Sequence, residues 1–175
     1  LRSIVKGNPI KERGIFKTMK KLTLKHNQGA YDISIEKGLF KNLSEQLENF
    51  DFSGGLVITD KNVYGFYKEK IDRLGYPVIS VTPGESSKTL EVYGEVIEEV
   101  ITTGLSRDGV ILAIGGGVIG DLAGFVAATY LRGVPYIQIP TTLLAQVDSS
   151  IGGKVAVNSK QGKNLIGNFY QPKAV

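Results

Sequence analysis

Apolar and polar positions first alternate with a period of two. Leu22 and Leu24, then Tyr31, Ile33 and Ile35, flank His26-Asn27-Gln28-Gly29, and the pattern predicts an edge β-hairpin closed by a glycine-containing turn. The period then lengthens. In LFKNLSEQLENF, Leu39, Leu43 and Leu47 fall at helical spacing ahead of GLVITD, a short β-branched run that reads as a buried strand ending in Asp60. The order repeats: KNVYGFYKEKIDRLG predicts a helix closed by Gly75, and PVISV a strand stopped by Thr82-Pro83-Gly84. SKTLEVYGEVIEEVITTG then sets Leu90, Tyr93, Ile97, Val100 and Ile101 on one stripe, with Glu91, Glu95, Glu98 and Glu99 outside it. DGVILAIGGG follows as a nearly all-apolar strand, a composition that requires cover on both faces.

GVIGDLAGFVAATYLRG is the next predicted helix, and Gly120, Ala123, Gly124, Ala127 and Ala128 give it a face small enough for close backbone packing against the strand PYIQIPTT. Strands alternating with amphipathic helices at this spacing imply an α/β fold: a Rossmann-like, mostly parallel sheet with right-handed crossovers, flanking helices and an N-terminal β-hairpin. Beyond Thr142 the texture changes. TTLLAQVDSS is compatible with a helix, whereas SIGGKVAVNSKQGKNLIGNFYQP is rich in Gly, Asn, Lys and Ser without a clear period and reads as loop. Pro172-Lys173-Ala174-Val175 reads as the start of one more strand, so the expected organisation is an upstream extension over 1–18 and an α/β domain over 19–175 that stops short of a further domain.

With 175 residues, 42% of them hydrophobic, the chain suffices for one ordinary domain. It contains no Cys, which excludes a disulfide framework, a thiolate metal site and a cysteine nucleophile. The net charge of +4 has a local source in LRSIVKGNPIKERGIFKT, ahead of the sole Met, Met19; elsewhere Lys and Glu are interspersed, so no basic stripe marks a nucleic-acid footprint. No apolar run approaches bilayer-spanning length and no apolar core follows the N-terminal charges, so neither a membrane span nor a signal peptide is expected.

The candidate chemistry sits at predicted strand ends. Gly115-Gly116-Gly117-Val118-Ile119-Gly120 satisfies G-x-G-x-x-G between a strand and a helix, where missing side chains let phosphate oxygens approach helix N-terminal amides; a tight turn with close helix packing is the plain alternative. The acid expected about 20 residues on is absent, since that region reads Tyr136-Ile137-Gln138-Ile139-Pro140. Asp60 is a substitute that can accept from a ribose hydroxyl, or simply cap the helix it precedes. Glu85 and Lys88 share a Pro-Gly turn in which Ser86 or Ser87 is equally suited to capping. Asp148, Lys154, Lys163 and Asn164 form a sharper constellation, two cations in a Gly-rich segment near an acid, with a solvated charged loop as its alternative. His26, the only histidine, falls in a hairpin turn and receives no role, and no His, Cys or His/Glu cluster has metal-ligand spacing.

The stretch from Gly115 to Pro172, GGGVIGDLAGFVAATYLRGVPYIQIPTTLLAQVDSSIGGKVAVNSKQGKNLIGNFYQP, closely resembles the central signature of the 3-dehydroquinate synthases; TDKNVYGFY and PGESSKT agree with weaker features upstream. The resemblance implies an N-terminal NAD-binding domain followed by a mostly helical domain that supplies one Glu and two His to a divalent zinc or cobalt ion, beyond Val175. It also implies site roles. Asp60 would bind ribose, Glu85 and Lys88 would lie along the cofactor, Gly116, Gly117, Val118, Ile119, Gly120 and Asp121 would hold its pyrophosphate, and Thr141 and Thr142 would flank it. Ser149 would bind the cofactor, Asp148 and Lys154 would stand where nicotinamide meets substrate, Lys163 and Asn164 would touch cofactor or substrate, and Arg132 would reach a neighbouring subunit's phosphate pocket.

The implied enzyme is a cytoplasmic homodimeric lyase of the shikimate pathway, in aromatic amino acid biosynthesis. Its substrate would be 3-deoxy-D-arabino-heptulosonate 7-phosphate: oxidation of the C5 hydroxyl acidifies the neighbouring C–H, phosphate leaves by β-elimination, hydride returns, and an aldol step closes the ring. Cyclases that make an inosose or a valiolone are the nearest alternative, and SSIGGK argues against them. Polyol dehydrogenases lack the VDSSIGGK and GKNLIG pair, and a non-catalytic nucleotide-binding module is the alternative of a different class.

Overall fold

The computed structural model describes residues 20–27 and 29–175; the basic segment 1–18, Met19 and Gln28 lie outside the described residues. Strands β1 (Lys20–His26) and β2 (Gly29–Ile35) form the expected antiparallel hairpin, with Leu24 opposite Tyr31 and Leu22 opposite Ile33. A 3-10 turn, Leu39–Asn42, and the five-residue helix α1 (Leu43–Leu47) replace the single longer helix predicted over this stretch. Of its leucines only Leu47 is buried, so there is little packing to hold a longer helix together.

The central sheet contains β3 (Gly55–Asp60), β4 (Val78–Val81), β5 (Val110–Gly115) and β6 (Tyr136–Pro140), all parallel, in the order β4-β3-β5-β6. Helices α2 (Lys61–Asp72), α3 (Leu90–Thr103) and α4 (Gly117–Thr129) make the crossovers. Period-two alternation divides the core between the faces. Leu56, Ile58, Ile111 and Ala113 pack with Val96 and Val100 of α3 and with Leu122 and Val126 of α4. Val57, Val110, Leu112 and Ile114 pack on the other face with Leu47 and with Ile71 of α2. Every residue of β5 is buried because both faces are covered, as its unbroken apolar run requires.

Three helix expectations change in detail. Thr89, not Ser86 or Ser87, caps α3 by accepting from the Val92 N–H at 3.2 Å, while Ser87 donates to the Thr82 carbonyl. The stripe of α3 is centred on Val96 and Val100; Leu90 and Ile101, assigned to it from spacing, are 43% and 53% exposed because they lie at its edges. Helix α4 stops at Thr129, after which Leu131 and Arg132 take left-handed φ values of 49° and 64° ahead of Gly133. The small face of α4 is as expected: a Cβ on Gly120 would stand 2.5 Å from Gln138 Oε1, and one on Gly124 would collide with Val155.

The largest departure is at 151–172. In place of a loop, β7 (Lys154–Ser159) and β8 (Gly162–Phe169) form an antiparallel hairpin, with Val155 and Val157 buried in the α3/α4 side of the core. Pairing on one edge and a largely exposed β8 leave little periodicity to read. The TTLLAQVDSS stretch forms a π-helical turn over Ala145–Ser149. The last residues make isolated bridges rather than the expected strand: Gln138 donates to the Ala174 carbonyl at 3.1 Å and Ser34 to that of Val175 at 2.8 Å, which joins the β1–β2 hairpin to β6.

Candidate functional site

In the order β4-β3-β5-β6 the chain leaves β3 in one direction to reach β4 and returns past it to reach β5. The switch point therefore lies between the carboxyl ends of β3 and β5, where helices diverge and open sheets of this kind have their crevice. A cleft of about 360 Å³ opens there, lined by Asp60 and Val63 after β3, Pro83 and Gly84 after β4, Gly116 to Ile119 after β5, and Thr142 after β6.

Helix α4 begins in this cleft. Its N-cap is Gly116, which supplies no side-chain cap, and Gly120 is the amide that closes on the Gly116 carbonyl at 3.0 Å. The amides of Gly117, Val118 and Ile119 precede that bond and are aligned with the positive end of the helix. A side chain cannot easily enter the space: a Cβ at Gly116 would stand 3.1 Å from Thr142 Cγ2, and one at Gly117 2.9 Å from Ser149 Oγ. Thr141 Oγ1 and Ser149 Oγ, on the neighbouring segments, are buried without a hydrogen-bond partner among the described residues. Such groups call for a polar occupant.

Asp60 caps a helix and faces the cleft. Oδ1 accepts from the Asn62 and Val63 amides at 2.9 and 3.0 Å and so caps α2, while the residue also lines the cleft. Beside the cleft, Lys88 is almost wholly buried and bonds to Asp121 Oδ2 and, at 2.5 Å, to Asn164 Oδ1. Burial pushes the Asp121 carboxyl above its ordinary value, and Lys88 opposes that shift. A Lys only 6% exposed needs such partners, whereas Asp148, Lys154, Lys163 and Asn164 themselves remain exposed.

Glu85 accepts from Asn158 Nδ2 at 2.9 Å and lies 3.7 Å from Lys163 Nζ. The Asn158 hydrogen bond, reinforced by Lys88 and Lys163, holds its carboxyl below the usual range. Asn164 is left-handed at φ 58° inside β8, an unusual state for a residue with a side chain. Lys154 is exposed but close enough for its charge to act on Asp121, and Asp148 is exposed on the π-helical turn. Arg132 is not brought to the cleft: it follows the far end of α4. Asn158 was missed by sequence reasoning, although the Val-Ala-Val-Asn alternation before a glycine turn was a legible strand signal.

The class defined by this fold and cleft is a Rossmann-like α/β domain with an open, glycine-built helix N-terminus at its switch point. The family model described as 3-dehydroquinate synthase N-terminal matches residues 78–175, and the chain belongs to that family. It is 48% identical over 165 residues to 3-dehydroquinate synthase of Clostridium acetobutylicum, covering 90% of this chain and 46% of that protein. Over 125 residues it is 61% identical to that of Caldanaerobacter subterraneus, covering 68% and 35%. The chain thus spans about half the length of the curated relatives it matches. Among solved structures, 2-deoxy-scyllo-inosose synthase in complex with carbaglucose-6-phosphate, NAD+ and Co2+ superposes with a TM-score of 0.76 at 30% identity, over 90% of this chain and 44% of that one.

Proposed function

We propose that the cleft binds NAD and that this chain supplies the dinucleotide-binding part of a 3-dehydroquinate synthase. The reaction is conversion of 3-deoxy-D-arabino-heptulosonate 7-phosphate to 3-dehydroquinate and phosphate. The observation that carries the reading is the uncapped start of α4 between two buried, unpartnered hydroxyls, Thr141 and Ser149, at the switch point of the sheet. The amides of Gly117, Val118 and Ile119 take the pyrophosphate, where anionic oxygens complete the open hydrogen bonds of the first helical turn. Thr141 and Ser149 donate to the same ligand, and Asp60, whose cap bonds both fall on Oδ1, has Oδ2 to accept from a ribose hydroxyl.

Bound NAD supplies reversible hydride transfer at the substrate. Lys88, held by Asp121 and Asn164, presents a fixed positive charge along the cofactor, with Glu85, Gly120 and Thr142 beside it. Asp148, Lys154, Lys163 and Asn164 border the side on which a phosphorylated, hydroxyl-rich substrate would be held, their cations facing its phosphate. Arg132, exposed on its strained turn, is assigned to the neighbouring subunit of a homodimer. Among the described residues no group of three or more His, Cys, Asp or Glu can hold a metal, so the residues present do not fit the divalent ion and no step is routed through it. Among them also, no helix is long and apolar enough to cross a membrane; a cytoplasmic location belongs to the same reading. An inosose-forming activity is less favoured, because the structural neighbour of that activity is 30% identical and the curated synthases 48% and 61%.

Calorimetric titration of NAD tests the reading. Saturable binding is expected, weakened about tenfold or more by Lys88→Ala and by Asp121→Ala, each tenfold step corresponding to about 1.4 kcal/mol. No binding, or binding indifferent to both changes, would reject the dinucleotide assignment.

A further inference from the structure

Asn158, in β7, joins the segment that carries Glu85 and Lys88 to the segment that carries Asn164. Its backbone N–H donates to the Lys88 carbonyl at 2.8 Å, and a lone parallel bridge pairs it with Thr89. Its side chain divides between the two segments: Nδ2 donates to Glu85 Oε1 at 2.9 Å, and Oδ1 accepts from the Asn164 N–H at 2.9 Å. That second bond falls on a residue at φ 58°, a conformation that a non-glycine residue keeps only when its surroundings hold it. Held there, Asn164 turns its own Oδ1 to Lys88 Nζ.

We infer that Asn158 is a positioning residue: its amide fixes Glu85 and the left-handed Asn164 so that Lys88 is presented in one orientation to the dinucleotide. The inference rests on the proposed cofactor reading for the identity of the ligand. The chemistry needed is a donor and an acceptor side by side on a short stem, which a primary amide supplies. An aspartate keeps the acceptor but sets a second carboxylate against Glu85, and an alanine removes both bonds.

The test combines amide hydrogen exchange with NAD titration in the full chain, for the unsubstituted protein, Asn158→Ala, Lys88→Ala and the double variant. Gln161→Ala, in the β7–β8 turn and outside these bonds, serves as the folding control. Asn158→Ala is expected to speed exchange at the Asn164 amide and to raise the NAD dissociation constant about tenfold, but to change it less than about twofold once Lys88 is already Ala. A merely structural asparagine would produce the same rise in both backgrounds, and that outcome overturns the inference, as does an Asn164 amide that stays protected. If Asn158→Ala does not fold, Asn158→Asp decides: the Asn164 amide should keep its protection while NAD affinity falls, and unchanged affinity overturns the inference. Failure of the unsubstituted protein to bind NAD would sink the cofactor reading instead, and the exchange measurement alone would then decide whether Asn158 holds Asn164.

Discussion

Strands β5 and β8 are built on opposite terms. Strand β5 has a hydrogen-bonded neighbour on each side and helices over both faces, and all of its residues are buried. Among the described residues strand β8 pairs with β7 alone, and it leaves Leu165 64% and Phe169 75% exposed. The first carries no charged or hydrogen-bonding side chain; the second contributes Lys163 and Asn164 and accepts a left-handed residue in mid-strand. A strand sealed on both sides has its composition dictated by burial, whereas one at the margin is free to carry glycine, amide and ammonium groups. The proposed chemistry draws on that freedom, but sets it on the rigid frame that β5 and α4 provide.

The contrast breaks most sharply under truncation. Leu112→Ala is expected to cost about 2–5 kcal/mol through lost burial and the cavity left behind, whereas Leu165→Ala, on the open strand, should stay within about 0.5 kcal/mol. Urea unfolding midpoints at constant m-value would check the pair, and equal costs would show that β8 is packed as tightly as β5. A smaller effect is expected where the Glu85–Lys88 turn enters α3. Thr89→Ala removes the cap on the Val92 amide and should lower stability by about 1 kcal/mol, measured by the same unfolding curves.

The smallest expected effect is one of pH, and it sharpens the tie between the turn and the hairpin. Glu85 ionises more readily in the fold than its ordinary value of 4.5, chiefly because Asn158 donates to it and because Lys88 and Lys163 are close. A depressed carboxyl adds stability that is present above that ordinary value and is lost as the pH falls through the lower folded value. The difference in thermal midpoint between the unsubstituted protein and Glu85→Gln should therefore shrink on acidification from about pH 6 to about pH 3; a constant difference would show that the Asn158 contact does not discriminate the charged form.

Short apolar runs between turn residues determined β3 to β6, and periodicity determined the crossover helices and the edge hairpin, because burial on a half-covered strand recurs every second residue and on a helix about every third or fourth. It also marked the glycine turn and its small-residue helix face, since close backbone approach leaves no substitute for missing side chains. The sequence left open whether Asp60 caps a helix or faces a ligand, and the structure has it capping while it lines the cleft. It carried a strand signal for β7 but none for the outer strand β8, which has no buried stripe, and it could not reveal the partnership of Lys88 with Asp121 and Asn164. Those side chains lie 33 and 76 residues apart from Lys88 along the chain. Local pattern records which face of an element is dry, but the pairing of buried polar groups depends on which elements meet, and only the tertiary structure decides that.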